Sequence, residues 1–438
     1  MLKVIFNCWA LFLGLALIML GNGLQGSLLG IRASIEGFSA SVTGLVMSGY
    51  FIGFIFGASI VPKVVRRVGH IRTFGALASL ASASILVHAV FLDPWIWWFM
   101  RLITGLAFAG LYIVAESWLN DIATNDTRGQ LLSIYMLTLF GGLAGGQFML
   151  NLSSPEGFQL FVLISVLVSF AVIPILVSVS TAPPYEITDT VQLTQLFKVS
   201  PLGVFGVFAS GIAAGSLFGM GIIYAATIGL SIKNASFFMA SIVIGGMFLQ
   251  YPIGWISDQI GRRKMIILTC CFGGGVSVLV SLLLVNSQAV YIGAAIIAGL
   301  SLPLHSLCIA HTNDYLVPKQ MVAASGALVL FNGLGATLGA PITGFIMEKF
   351  GPHGFHQVIG SVFGVILILA LWRSTQREAL AIEDTDNFVP MAPSPISPAL
   401  NPDVELEEIE AAAGQNKESI ISSFEELVDE LSATDKNE

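Results

Sequence analysis

Arg101 is the first residue whose chemistry needs explaining. It stands in WIWWFMRLITGLAFAGLYIVAESWLN, an apolar run with no other base. A charge in such a run marks a functional site by default, because hydrocarbon does not solvate it. A guanidinium offers a planar fork that fits a carboxylate or phosphate through two hydrogen bonds. Gly105, Tyr112 and Glu116 follow at helical spacing, all within about 60° of Arg101 at 3.6 residues per turn. Along the axis Arg101 and Glu116 are ~22 Å apart at 1.5 Å per residue, too far to pair. Asn22 and Gln25 share a face of the first apolar run, and Gln147 lies at the matching depth of the fifth. They share Arg101's depth and are with it candidates for one polar cluster, either a substrate site or a hydrogen-bond network around a buried base. Glu116 is a candidate carrier of a coupling proton, since burial raises a carboxyl pKa. His305 and His311 are the other protonatable candidates.

Other chemistry is absent from the pattern. There is no phosphate-binding glycine loop, no H-E-x-x-H and no G-x-S-x-G elbow. Cys8, Cys270, Cys271 and Cys308 fall in apolar runs without metal-ligand spacing, which reads as small buried hydrophobes. Neither an enzyme nor a metal or cofactor site is expected, and no nucleic-acid partner.

The elements that position these residues follow from composition. The chain is 55% hydrophobic and only 11% charged, against about 25% charged in soluble domains. A bilayer crossing needs roughly 20 apolar residues. Twelve such runs are expected, at 5–28, 41–63, 71–92, 95–118, 129–150, 158–179, 203–230, 236–257, 265–286, 290–312, 322–346 and 356–373. The first is read as a retained helix, not a signal peptide. The polar stretch 181–200 divides the body, giving bundles over 1–180 and 201–373 and an acidic tail over 374–438. Thirteen Lys and Arg fall in one set of loops, Lys3 and Arg377 among them, and three (Arg32, Lys233, Lys349) in the other. This bias places both termini in the cytoplasm. The expectation is an all-α, multi-pass inner-membrane protein of two six-helix bundles.

The halves match at fixed offsets, the mark of an internal repeat. At 192 positions Gly53 falls on Gly245, Gly69 on Gly261 and Arg72 on Lys264; at 197, Gly129 falls on Gly326 and Gly142 on Gly339. The loop Gly254-Trp-Ile-Ser-Asp258-Gln-Ile-Gly261-Arg262-Arg263-Lys264 resembles the signature loop of the major facilitator superfamily. Its counterpart, Pro62 to Arg72, keeps the glycine and the bases but has arginine where the family has aspartate. Arg101-Leu-Ile-Thr-Gly105 is similar to the family's intramembrane arginine motif, and Gly326, Gly335 and Gly339 to its glycine-rich motif. The segment 101–147, with ESWLND and RGQLLSIYM, resembles the uncharacterised YcaD-type branch. The resemblance implies alternating access, a gate at Glu116 and Arg128, and a loop latch at Asp258 and Arg262.

The expected function is secondary active transport of a small molecule, proton-coupled, with an anionic metabolite as candidate substrate and Arg101, Asn22, Gln25, Gln147 and Tyr112 as its site. The alternatives are an exporter of drug-like hydrophobic compounds and a non-transporting membrane sensor or scaffold signalling through its tail. That tail carries 16 acids and 3 bases. Its 387–402 stretch is a proline-rich linker, and the tail is expected to be disordered and solvated, with the helical apolar spacing of 418–432 leaving a partner-binding helix as the alternative. A monomer in the lipid bilayer is expected.

Overall fold

Serine, aspartate and glycine set the helix ends in this chain. The computed structural model describes residues 2–124, 127–177, 193–282, 288–316 and 318–378, with positions 380, 382, 385, 388 and 389 beyond them. The helices are α1 (Leu2–Ile35), α2 (Ala40–Val68), α3 (His70–Val90), α4 (Pro94–Ile122), α5 (Arg128–Met149), α6 (Gln159–Phe170) and α7 (Val172–Val177). The second half has α8 (Leu193–Val199), α9 (Pro201–Thr227), α10 (Ile232–Ile260), α11 (Arg262–Leu282), α12 (Ala289–Asn313), α13 (Pro318–Phe350) and α14 (Gly354–Gln376). Twelve stretches among the described residues are long and apolar enough to cross a membrane, α6 and α7 together making the sixth.

The duplication appears in the punctuation. The bounds of α2 and α3, shifted by 192 positions, are those of α10 and α11. Ser39 and Ser231 each cap the following helix by accepting a backbone N–H, from Val42 and Asn234. Such a cap is worth about 1 kcal/mol. Gly69 and Gly261 end α2 and α10 at φ +87° and +91°, a left-handed geometry that only glycine adopts without strain. Each donates its N–H to the helix it closes, at Val65 and Ser257 respectively. Asp93 caps α4 with hydrogen bonds from Trp95 and Ile96, and Pro94 occupies the first turn, where its missing N–H does no harm.

Three expectations are refined. The sixth span is notched between Phe170 and Val172 instead of running unbroken through 158–179. Pro174 lacks the N–H that Phe170 would receive, so the ladder fails there. The central stretch 181–200 contains helix α8, whose Leu196 and Val199 are buried; residues 178–192 lie outside the described residues. Cys8, Cys270 and Cys308 are buried as expected, but Cys271 is exposed, because the adjacent position on a helix turns away from the interior.

Within the first half α2 packs on α4 and α1 on α5; within the second, α10 packs on α12 and α9 on α13. The halves meet where α2 runs against α13, α5 against α10 and α1 against α9. Cross-half bonds occur at the end away from the termini: Ser41 N–H to Glu348 Oε2 at 3.0 Å and Asn151 Nδ2 to Ser236 Oγ at 3.1 Å. There the backbone of Ala340 sits against Gly44, so close that a Cβ would collide. The outer surface presents large apolar side chains such as Phe248, Phe272 and Leu282, with Trp95, Trp255 and Trp372 exposed toward the helix ends. That is the distribution of a lipid-facing wall. The stretch 418–432, for which the sequence leaves open a disordered solvated tail or a partner-binding helix, lies outside the described residues.

Candidate functional site

Close packing of α2 on α4 builds the first half of the site. Gly49, Gly53 and Gly57 line one face of α2 at four-residue spacing, facing Trp98, Leu102 and Leu106 of α4. A Cβ added at Gly49 would stand 2.6 Å from the Trp98 carbonyl oxygen, and one at Gly57 2.6 Å from that of Leu106. From the other side Gly105 lies against the backbone of Tyr50. Small residues of this kind let two helices approach backbone to backbone. The approach carries the Tyr50 ring to the Arg101 guanidinium, whose Cζ is 4.6 Å from the ring centroid. Arg101 is 6% exposed, and its Nε has no hydrogen-bond partner among the described residues. A desolvated cation–π contact is worth about 2 kcal/mol. An arginine at mid-helix costs at least ~2.5–3.5 kcal/mol on insertion scales. Tyr50 therefore offsets only part of the cost.

Arg101 faces a cavity of about 260 Å³ between the halves. Asn22, Tyr50, Phe54, Tyr112 and Gln147 line it from the first half. Phe218, Gln250, Ser301, His305 and Asn332 line it from the second. No Asp or Glu is among the lining residues. Asn22 donates to the Tyr112 hydroxyl at 3.5 Å, and that hydroxyl lies 3.3 Å from the Met19 sulfur.

The expected cluster separates on inspection. Arg101, Asn22, Tyr112 and Gln147 share the cavity. Gln147 is already engaged: it accepts from Ser27 and donates to the Gly23 carbonyl at 2.9 Å, tying α5 to α1. Gln25 is buried but is not among the residues lining the cavity. Of the histidines, His305 lines the cavity while His311 is buried with its ring edge-on to Tyr315.

Glu116 and Arg128 are fully buried near the terminus-side ends of α4 and α5, away from the cavity lining. The Tyr135 hydroxyl donates to Glu116 Oε1 at 2.5 Å. On the same side Arg262 pairs with Asp258, donates to Ser257 Oγ at 3.1 Å and lies 3.7 Å from Asp314. Asp258 also accepts the Phe388 backbone N–H at 3.0 Å, and the Phe388 ring packs on Gly254. In the first half, Arg66 and Arg67 are exposed at the equivalent turn.

Sequence reasoning missed Tyr50, Ser301, Gln250 and Asn332. Neutral polar and aromatic residues are common in apolar spans, and α2 and α12 carry no charge that marks their cavity face. Asp314, the acid closing α12, could have been found as the one carboxylate following the tenth run.

Comparison with known proteins places this architecture. Proteins called uncharacterised MFS-type transporter YcaD, from Escherichia fergusonii and Escherichia coli strains, are 27% identical over 360 residues, which is 82% of this chain and 93% of theirs. The solved nucleoside transporter NupG superposes with a TM-score of 0.69 at 14% identity, over 84% of this chain and 98% of that one. A bacterial homologue of the human lysosomal transporter Spinster, inward-facing and occupied, gives 0.71 at 13% identity, over 88% and 98%. At such identities the two structures speak to fold alone. The family model for the Major Facilitator Superfamily matches residues 11–304 and again 203–404. The chain is a multi-pass membrane protein and belongs to the Major Facilitator Superfamily.

Proposed function

We propose that this chain is a secondary active transporter that carries an anionic small molecule across the inner membrane, its two halves rocking around the central cavity. One observation carries the anion: Arg101 faces the cavity, its charge only partly compensated by Tyr50, and no carboxylate lines the space among the described residues. An anionic ligand supplies the missing partner through the guanidinium fork. With both termini in the cytoplasm, as the loop charges favour, the contacts at Ser41–Glu348 and Asn151–Ser236 close the outer side. The cavity then faces inward. Proton coupling belongs to the same reading, with His305 at the cavity and Glu116 below it as candidate carriers.

The aromatic lining favours a second reading, export of hydrophobic compounds. Tyr50, Phe51, Phe54, Tyr112, Phe140 and Phe218 give apolar molecules a surface to stack on.

The test is a thermal-shift screen of the purified full chain against carboxylates, phosphates, cations and neutral hydrophobes, because a ligand of the folded state raises its stability. Anions are expected to stabilise the protein, and Arg101→Lys to weaken them while the protein still folds. Stabilisation by cations or neutral compounds alone overturns the anion and leaves the exporter.

A further inference from the structure

The second half of the cavity holds an unclaimed polar pair. Ser301 and His305 are four residues apart on α12, hence on one face, and both line the cavity. Ser301 is 2% exposed, and its Oγ has no hydrogen-bond partner among the described residues; neither has His305 Nδ1. The contrast with other helical serines is informative. Ser48, Ser84, Ser210 and Ser277 all return their hydroxyls to a backbone carbonyl of the preceding turn, at 2.7–2.8 Å. That is the ordinary outlet for serine inside a spanning helix. Between Ser301 and His305 stands Pro303, which has no N–H to give the helical ladder. A buried hydroxyl or imidazole nitrogen left without a partner carries its full desolvation cost. Two at one place, turned to a cavity, are groups awaiting a ligand.

The repeat fixes their depth relative to Arg101. Gly53 touches Leu102 of α4, and its counterpart Gly245 touches Ala295 of α12. Leu102 and Ala295 therefore stand at corresponding levels of the two halves. Arg101 is one residue before the first, while Ser301 and His305 are six and ten residues after the second. At 1.5 Å per residue the pair lies roughly 10 to 16 Å from the Arg101 level, toward the termini. Tyr50, Phe54 and Tyr112 of the first half and Phe218 of the second give this cavity an aromatic wall.

We propose that Ser301 and His305 form a second, neutral subsite, so that the substrate is an elongated amphipathic anion. Its acid group sits at Arg101, its apolar or aromatic body lies along the ring-lined wall, and an uncharged hydroxyl or amide at its far end bonds Ser301 and His305. Such a molecule touches both halves at once, which is how occupancy of the cavity is communicated to their rocking. This inference rests on the anionic reading of Arg101 and adds the far-end group to it.

A matched set of two-ring probes tests it: biphenyl-4-carboxylate, 4′-hydroxybiphenyl-4-carboxylate and neutral 4-hydroxybiphenyl. Binding of each to the purified full chain is measured by calorimetry for the wild type, Ser301→Ala/His305→Leu, Ser301→Thr and Arg101→Gln. The hydroxylated carboxylate is expected to bind the wild type at least about fivefold tighter than its parent, the worth of one neutral hydrogen bond. The preference should vanish in the double variant and survive in Ser301→Thr, which keeps the hydroxyl. Equal affinities in the wild type, or a preference that persists in the double variant, overturn the second subsite and leave the anion site standing. If the neutral phenol binds as tightly as the carboxylates, or Arg101→Gln binds them undiminished, the anion site itself is overturned. Absence of binding by either carboxylate overturns both.

Discussion

A tyrosine ring and an arginine guanidinium 4.6 Å apart set the chemistry of this cavity. The ring face takes up part of the charge, so removing it should cost stability before any ligand is considered. Tyr50→Leu is expected to destabilise the empty protein by roughly 1–2 kcal/mol, whereas Tyr50→Phe keeps the ring and should stay near wild type. Thermal unfolding in detergent compares them; equal losses in both variants would assign the effect to the hydroxyl instead. Glu116 poses a different question at the same scale. Its Oε1 accepts from Tyr135 away from the cavity lining, so Glu116→Gln should bind ligand normally and transport slowly in proteoliposomes. Wild-type rates with lost pH dependence would make Glu116 the proton carrier. Arg101 and Glu116 were legible in the sequence because charge in an apolar run stands out. Tyr50 and Ser301 were not, because uncharged residues in apolar runs become cavity walls only through packing such as the approach of α2 to α4.

Glycine spacing is the element-scale equivalent of that charge signal. The offset of 192 positions paired Gly53 with Gly245, and the fold puts both at helix crossings, α2 on α4 and α10 on α12. Repeated glycines in a glycine-rich chain are weak evidence singly; a shared offset is strong because the packing must repeat with it. The boundary at Pro174 was harder to see, since a proline inside a spanning helix is often tolerated. Not every glycine is a contact, and this yields a paired prediction. Gly57→Ala places a Cβ 2.6 Å from the Leu106 carbonyl oxygen, a backbone atom that cannot swing aside. Pushing α2 from α4 should cost about 1–3 kcal/mol. Gly141 on α5 has nothing within 4 Å of the same added atom, so Gly141→Ala should be neutral or stabilising by up to ~1 kcal/mol through helix propensity. If the two alanines unfold at the same temperature, backbone contact is not what those glycines provide.

At the scale of the molecule, sidedness comes from charge and the closed end from contacts. Reporter fusions at 123–127 and after Glu438 should both report cytoplasm, given thirteen basic residues in those loops against three opposite; a periplasmic C-terminus would reverse the direction in which the cavity opens. The acidic tail read as a separate appendage, because composition changes abruptly after Arg373. What composition could not show is where the attachment ends. Arg263 donates to the Arg377 carbonyl at 2.5 Å, and Phe388 lays its ring on Gly254 while its N–H bonds Asp258. Those partners belong to the signature loop between α10 and α11, so Arg377 and Phe388 are held against the loop that pairs Asp258 with Arg262. Phe388 is half-buried, so its ring contributes less than the roughly 1.5–3 kcal/mol of a fully buried phenylalanine, and its N–H to the Asp258 carboxylate adds about 1.5–3 kcal/mol. Truncation after Val389 should therefore leave stability and transport at wild-type values. Truncation after Arg377 removes the Phe388 contact and should lower the unfolding temperature measurably, with Phe388→Ala in the full chain reproducing most of the loss. If the shorter chain unfolds no earlier than the longer one, the Phe388 contact adds nothing and the tail is dispensable from Arg377 onward.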